Sequence, residues 1–450
     1  MTRIVPRLRR FVPQGEFGRG VLTLAAGTGL AQLIVVISSP VLTRLYSPSD
    51  YGVFAVATSV LSILITITCL RYEFAIPLPE SDVAAANVLA LSLITAIGMS
   101  SAAGVVLWLA GPRLLAILGA SALGPYVLLL SLGQLGGGTY AVLTLWAVRT
   151  KTFSEIAATR FTQGSALVAV QVGLGVVGFG APGLLVGDVT GRISGSSRLA
   201  RAAWRSHASS FRHVSRAGIL VAARRYRRFP IFSSPSALLT TLGVQAPVIL
   251  LVALYGTQVG GHYALADRIF SLPLQLVAGA VSQVFVAESA RLAREKPEEL
   301  RRLFGGTTRS LARAGLVPAI LLAVVAPILV GPVFGGDWRE TGVFVAILTP
   351  MYYLTFVATA TGDVLSVLER QDLHLGRELL RFCLLGGPIL IASAAHLPPI
   401  GAIAVLSAAG SLNYGLYALF SWRAILTYNP HLQPLSATGT DIIDERLGVG

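Results

Sequence analysis

Residues 82–109 read DVAAANVLALSLITAIGMSSAAGVVLWL, and the only charge in the stretch, Asp82, is its first residue. A helix rises about 1.5 Å per residue, and about 20 mainly apolar residues cross the hydrocarbon core of a bilayer. This segment is long enough to cross. Its apolar residues run on without the alternation that a barrel strand requires. In lipid only helices and closed barrels satisfy their own backbone, so the stretch reads as a membrane helix.

The rest of the chain repeats the pattern. Of 450 residues, 54% are hydrophobic and 12% charged, about half the ~25% charge of soluble domains. A soluble core stops growing near ~250–300 residues, so one large core does not account for the missing charge. The predicted fold class is all-α: a polytopic membrane protein with about twelve transmembrane helices. The first six spans are predicted at 21–43, 51–72, 82–109, 124–147, 154–175 and 178–196. The second six are predicted at 230–254, 261–287, 311–331, 341–367, 377–394 and 398–421. The fifth is interrupted by Glu155, Arg160 and Gln163.

The net charge is +14, with Lys151 and Lys296 the only lysines. The cations fall mostly between apolar runs, where they read as topology signals rather than as a nucleic-acid surface. Alternate loops are basic: Arg149 and Lys151, then Arg192 through Arg228, then Arg291 through Arg313, then Arg370 and Arg377. The intervening loops hold only Arg44, Arg113 and Arg339. The loop Glu73–Ser81 is the poor case, with Arg71 at its edge. With Arg3, Arg7, Arg9, Arg10 and Arg19 ahead of the first apolar run, the asymmetry places both termini on the cytoplasmic side of the membrane. The first apolar run, from Val21 to Thr43, is too long for a cleaved signal peptide.

Four regions follow: an N-terminal six-helix lobe (1–196), a basic linker (197–229), a C-terminal six-helix lobe (230–422) and a cytoplasmic tail (423–450) carrying Asp441, Asp444 and Glu445. In the linker, Arg198, Arg201, Arg205, Arg212 and Arg216 interleave with Leu199, Trp204 and Phe211. That pattern suits one amphipathic helix on anionic inner-leaflet lipids. Simple positive-inside charge explains it equally well.

The halves repeat faintly. Leu45, Tyr46, Gly52, Ala55, Ala57 and Ser62 match Leu254, Tyr255, Gly261, Ala264, Ala266 and Ser271 at one constant offset. An even number of helices per half makes this a parallel repeat about an axis along the membrane normal.

No GxxxxGK[ST], HExxH or GxSxG motif occurs, so ATP-driven transport and enzyme function are not expected. Cys69 and Cys383 form no metal-binding or disulfide pattern and read as small buried hydrophobes; no cofactor or metal is implied. The informative residues are charges within or at the ends of spans, which are costly in lipid and usually face a cavity or a partner. Arg71 and Glu73 close the second span, Arg160 lies in the fifth and Asp188 in the sixth. Asp267 and Arg268 lie in the eighth, Asp363 ends the tenth with Glu369 and Arg370 just beyond, and Glu378 and Arg381 begin the eleventh. Arg44 sits just outside the first. Arginines in a membrane cavity suit an anionic substrate, because guanidinium binds phosphate bidentately. Asp188, Asp267, Asp363 and Glu73 are candidates for a coupling cation or proton. Internal ion pairing, helix packing and snorkelling remain alternatives for each.

Three stretches in chain order carry a resemblance. They are Pro40–Ala55 (PVLTRLYSPSDYGVFA), Leu70–Pro79 (LRYEFAIPLP) and Tyr263–Pro273 (YALADRIFSLP). Together they resemble bacterial polysaccharide exporters, the O-antigen-type lipid-linked oligosaccharide flippases of the multidrug/oligosaccharidyl-lipid/polysaccharide exporter superfamily. The resemblance implies two six-helix lobes around a cavity open alternately to either side. It implies a polyprenyl-diphosphate-linked oligosaccharide as substrate, carried between leaflets for surface polysaccharide assembly, with glycosyltransferases and a polymerase as partners. It also implies that cavity arginines hold the diphosphate. Arg71 and Arg268 lie within the resembling stretches; Arg160, Arg381 and Arg44 are further candidates, although only Arg44 shares such a stretch. The competing expectations are a cation-coupled multidrug exporter, whose cavity should be acidic or aromatic, and a membrane glycan polymerase, which the short outer loops disfavour.

Overall fold

The computed structural model describes residues 16–368 and 370–428. The tail acids Asp441, Asp444 and Glu445, the arginines at 3–10 and Glu369 lie outside the described residues. Among the described residues every regular element is a helix. The N-terminal lobe contains α1 (Glu16–Leu45), α2 (Pro48–Thr68), α3 (Asp82–Ile117), α4 (Val127–Arg149), α5 (Phe153–Val176) and α6 (Gly180–Ile193). Two short helices follow, α7 (Ser196–Arg212) and α8 (Arg216–Arg225). The C-terminal lobe contains α9 (Ser234–Tyr255), α10 (Thr257–Glu295), α11 (Pro297–Phe334), α12 (Arg339–Gly362), the one-turn α13 (Val364–Val367), α14 (Gln371–Ala394) and α15 (Pro399–Thr427).

The lobes are built alike. In the first, α1 packs on α5, α5 on α6, α6 on α4, and α4 on both α2 and α3. In the second, α9 packs on α14, α14 on α15, α15 on α12, and α12 on both α10 and α11. Matching helices in order (α1 with α9, α2 with α10, α3 with α11, α4 with α12, α5 with α14, α6 with α15) turns one set of neighbours into the other. The faint sequence repeat is therefore a parallel structural repeat, and the chain is a polytopic membrane protein of two six-helix lobes.

Among the described residues, eight of the twelve helices are long and apolar enough to cross a membrane by themselves. Residues 317–328 of α11 show why: Val317, Leu321, Val324 and Ile328 form an exposed stripe at helical spacing, each more than 60% accessible. Contiguous apolar surface of this kind needs lipid against it. The other four are α5, α6, α10 and α14. Here α6 has 14 residues where the sequence predicts 178–196, and the other three carry embedded charge. They cross as members of a bundle, sheltered by their neighbours.

Several boundaries differ from the sequence expectation. α10 and α11 run to 39 and 38 residues, far beyond the predicted 261–287 and 311–331. At about 1.5 Å per residue each exceeds the hydrocarbon core, so their junction at Lys296 projects from one face. There Arg291 pairs with Glu288 at 2.5 Å and Glu295 at 2.7 Å, charge pairs that solvate a helix beyond the lipid. α2 stops at Thr68, short of the predicted 72. Leu70 and Arg71 then adopt left-handed backbone, so Arg71 sits in a turn beyond the helix end rather than within its last turn. The linker holds two helices, not one. Ser215 caps α8 by accepting from the Gly218 amide, while its own amide donates to Asn87 on α3. Cys69 is buried as expected, but Cys383 is exposed.

The α2–α3 loop, poor in basic residues, lies on the same face as the basic loops. Arg149 at the end of α4 donates to Pro79 O at 2.6 Å and pairs with Asp82 at 2.9 Å. The basic loops thus gather at one face of the molecule, with Arg44, Arg113 and Arg339 toward the other. The inter-lobe junction is closed at the other.

That closure begins with the segment Ser47-Pro-Ser-Asp50. Ser47 Oγ accepts from the Asp50 amide and Asp50 accepts from the Ser47 amide, a reciprocal cap with Pro48 in the first turn of α2. The second oxygen of Asp50 accepts from the Ala181 amide at 2.9 Å, fixing the start of α6. From this anchored end α2 crosses α10, and Gly52 and Gly261 let the two backbones meet. A Cβ on Gly52 would stand 1.8 Å from Thr257 O, and one on Gly261 would stand 1.8 Å from Pro48 O. Trp338 adds a second link across the boundary. Its indole N–H donates to Thr43 O at 2.8 Å and its ring meets Tyr51 edge-on at 4.9 Å.

Candidate functional site

Three cavities hold the embedded charges: one between the lobes and one within each. The inter-lobe cavity, about 180 Å³, is bounded by Tyr51, Thr58 and Ser59 of α2, Gln245 of α9, and Asp267 and Arg268 of α10. Adjacent residues on a helix point about 100° apart, and this pair uses that divergence. Asp267 turns into its own lobe and accepts from the Tyr352 hydroxyl, whose ring stacks on Phe270 at 4.2 Å. Arg268 turns outward across the boundary, where Nη2 donates to Val35 O of α1 at 3.2 Å. Ser38 and Ser39 donate to the same carbonyl. Arg268 is therefore a guanidinium held at the lobe junction by a neutral acceptor, with no carboxylate neutralising it among the described residues.

The N-lobe cavity, about 370 Å³, lies among α1, α4, α5 and α6 and is lined in part by Gln32, Tyr140, Arg160, Gln163, Asp188 and Arg192. Asp188 is buried and pairs with Arg192 one turn later at 2.6 Å. Arg160 is exposed to this space and lies over the Tyr140 ring at 5.1 Å. Gly137, Gly164 and Gly191 contribute backbone to the wall, where a Cβ would press on Ile65, Ala31 and Leu167 of the neighbouring helices.

The C-lobe cavity is the largest, about 540 Å³, between α10, α12, α14 and α15. Arg377 and Arg381 enter it from one face of α14, and Tyr352, Tyr414 and Tyr417 supply aromatic walls. Arg377 lies over the Tyr417 ring at 4.2 Å. Glu378, almost wholly buried, pairs with Arg377 and lies 3.5 Å from Arg381. Asp363, exposed at the rim, accepts from Ser282 at 2.6 Å.

Of the residues singled out from sequence, Asp267 and Arg268 share the inter-lobe cavity, Arg160 and Asp188 the N-lobe cavity, and Arg381 and Asp363 the C-lobe cavity. Arg71, Glu73 and Arg44 line none of the three. Arg71 lies over the Phe74 ring at 4.2 Å within its turn. Glu73 is buried beside it, with Oε2 lacking a hydrogen-bond partner. Arg44 donates to Pro40 O and to Pro332 O, tying the end of α1 to α11. Sequence reasoning did not nominate Arg192 or Arg377. Their signal was spacing: Asp188/Arg192 and Arg377/Arg381 each stand four residues apart, one above the other on a helix face.

Each lobe cavity thus combines two arginines with an acidic residue and polar or aromatic walls. A guanidinium offers two parallel N–H donors that match two charge-sharing oxygens of a phosphate or carboxylate. The carboxylates offset part of that charge.

A family model described as "Polysaccharide biosynthesis protein" matches residues 41–342. No curated protein sequence matches the chain. Among solved structures, the lipid II flippase MurJ in an inward closed conformation superimposes with a TM-score of 0.66 at 12% identity, covering 91% of this chain and 89% of that one. A mutant of the Vibrio cholerae MATE transporter VcmN gives 0.57 at 14% identity, covering 93% and 98%. An inward-facing multidrug resistance MATE family transporter of the MOP superfamily gives 0.54 at 15% identity, covering 90% and 94%. At these identities the likeness is one of fold.

Proposed function

The chain belongs to the polysaccharide biosynthesis protein family, and from that premise we propose that it is a flippase. It carries a polyprenyl-diphosphate-linked oligosaccharide from the cytoplasmic to the periplasmic leaflet of a bacterial inner membrane. The basic face is cytoplasmic and the lobes close at the periplasmic face. The observation that carries this reading is Arg268: a cation at the lobe junction, held by a single neutral carbonyl of the opposite lobe. A diphosphate entering between the lobes offers it a charged acceptor, and charged hydrogen bonds are worth about twice neutral ones. Exchange of Val35 O for substrate phosphate frees α10 from α1. The lobes then part around the Gly52–Gly261 crossing.

In this reading Arg268 binds the diphosphate, while Arg160 and Arg381 meet the glycan or its charged groups inside the lobes. Arg44 and Arg71 act as helix-end residues in this structure, and we assign them no substrate contact. Asp267 is held by Tyr352 and Asp188 by Arg192. Either carboxylate, or Asp363 or Glu73, is a candidate for the ion that drives return of the empty carrier. The likeness in fold to a protein described as a lipid II flippase supports a lipid-linked substrate.

The test is Arg268→Ala. It should insert and fold normally yet stop formation of surface polysaccharide. Arg268→Lys, which keeps charge but loses the paired geometry, should restore part of it. Normal polysaccharide with Arg268→Ala would remove this residue from the mechanism.

A second reading, a cation-coupled multidrug exporter, draws on the C-lobe cavity, where Tyr352, Tyr414 and Tyr417 with Asp363 form an aromatic, partly acidic wall. Aromatic faces attract organic cations. Arg377 and Arg381 in the same cavity work against such a ligand. Drug susceptibility of a deletion strain beside its surface polysaccharide separates the two.

A further inference from the structure

The segment joining the lobes carries a feature that the transport reading does not use. Residues 197–229 contain nine arginines and no Asp or Glu. Among the described residues only one of the nine, Arg198, meets a carboxylate, Glu155 at 2.6 Å. On α7, Arg201 and Arg205 stand one turn apart and Arg212 follows beyond a kink at His207; all three are exposed, an arginine stripe broken at the kink. Leu199 on the opposite side is buried against the N-lobe. Trp204 lies beside the stripe, 55% exposed, its ring stacked at 5.8 Å on Phe211, which in turn packs on Trp146 of α4. On α8, Leu220 and Val221 are exposed between Arg216 and Arg224, and Ile231 and Phe232 are exposed just beyond.

A soluble surface would not present Trp204, Leu220, Val221 and Phe232 beside an unneutralised row of cations. Both properties have one partner in common: the boundary of a bilayer, with phosphate outside and acyl chain within. The elbow is also fixed rather than free. Phe211 is clamped on Trp146, and α8 is pinned to α3 through Asn87 and Ser215, so the stripe is presented at a set height beside the ends of α3 and α4.

We propose that the α7–α8 elbow is a docking surface for anionic phospholipid. Arg201, Arg205 and Arg212 hold headgroup phosphates, and Trp204, Leu220 and Val221 enter the boundary of the same leaflet. Each Lys or Arg near an anionic surface adds an increment of attraction that zwitterionic lipid does not supply. Three arginines acting together should therefore enrich anionic lipid several-fold over its bulk fraction. The elbow fastens only to the N-lobe among the described helices, so bound lipid would hold that lobe at fixed depth while the other moves.

Trp204 is a built-in reporter. The full-length protein is reconstituted into vesicles of phosphatidylcholine with a minor share of phosphatidylglycerol, with bromine placed on the acyl chains of one lipid or the other. The Trp204 signal is taken as the difference between the parent and Trp204→Phe. Brominated phosphatidylglycerol should quench it several-fold more per mole than brominated phosphatidylcholine. Combining Arg201→Gln, Arg205→Gln and Arg212→Gln should abolish the preference while quenching by total lipid remains. Equal quenching by the two lipids, a preference that survives the triple substitution, or a Trp204 signal insensitive to either lipid would overturn the proposal. Surface polysaccharide in a strain carrying the triple variant is read separately, so failure of lipid docking is distinguishable from failure of transport.

Discussion

Gly52 on α2 and Gly261 on α10 occupy equivalent places in the two lobes and pack against each other's helix, each leaving a main-chain carbonyl where its own Cβ would be. The contacts are reciprocal: Gly52 faces Thr257 O and Gly261 faces Pro48 O. The offset that relates the glycines also relates Pro48 to Thr257. The local axis of the repeat therefore passes through this crossing.

Gly52→Ala or Gly261→Ala should force the helices apart at this point. Overpacking of this kind costs about 1–3 kcal/mol. The carbonyls are main-chain atoms of a helix start, so relief comes from separating the lobes. A disulfide reports it. Ser49 and Thr257 place their hydroxyls 2.6 Å apart. In a background lacking Cys69 and Cys383, the pair Ser49→Cys and Thr257→Cys should crosslink readily and lock the closed face. Adding Gly261→Ala should lower the yield several-fold. An unchanged yield would show that the crossing tolerates a methyl group without opening.

Trp338 should act as a latch on the same face. Trp338→Phe keeps the ring contact with Tyr51 but removes the bond to Thr43 O, costing about 1 kcal/mol. Trp338→Ala also empties a fully buried site and should cost about 3–5 kcal/mol. Thermal unfolding in detergent measures both. The Phe variant should additionally show faster hydrogen exchange near Thr43. Equal stability of parent and Phe variant would mean that the indole bond contributes nothing to closure.

The part of this architecture legible in the sequence was the part governed by solvent. Apolar runs located all twelve helices, and the basic loops ordered them. The shared offset of Gly52 and Gly261 disclosed the repeat, because close helix approach constrains residue size directly. What stayed hidden depended on neighbours. The projecting ends of α10 and α11 are polar, and in a linear reading they look like loops. The linker looked like one helix because Ser215 and Asn87, which split it, meet only in three dimensions. Arg71 looked like the last turn of the second span because the left-handed turn that follows Thr68 carries no glycine. Arg192 and Arg377 were passed over as loop charges, since their depth depends on helices that start or end differently from the apolar pattern.

Arg71 offers a test of that turn. Its φ is 64°, a conformation that costs L-residues about 1–2 kcal/mol and glycine little. Arg71→Gly relieves that strain but loses the stacking on Phe74, worth about 0.5–1 kcal/mol at an exposed site. The two nearly cancel, so stability should change by less than about 1 kcal/mol and surface polysaccharide should persist. Arg71→Val, with a branched side chain forced into left-handed backbone, should be destabilised. Loss of polysaccharide in a stable Arg71→Gly protein would return Arg71 to the substrate path.

Asp188 and Arg192 provide the last test, because their pairing sets the charge of the N-lobe cavity. With Asp188 ionised, Arg192 is largely neutralised and Arg160 carries the positive field alone. Asp188→Asn retains the shape and a hydrogen-bond acceptor for Arg192 but adds one net positive charge to the cavity. An anionic ligand should then bind tighter, by about three- to tenfold if the interaction runs through a partly screened boundary worth about 1 kcal/mol. Release should slow by the same factor, so affinity for a soluble diphosphate-sugar fragment should rise while polysaccharide export falls. Arg160→Gln should reverse the gain in affinity. If Asp188 instead takes up a driving cation, Asp188→Asn should leave fragment affinity unchanged and abolish its dependence on that cation. Measuring binding by calorimetry with and without the cation therefore decides whether Asp188 tunes the anion or receives the ion.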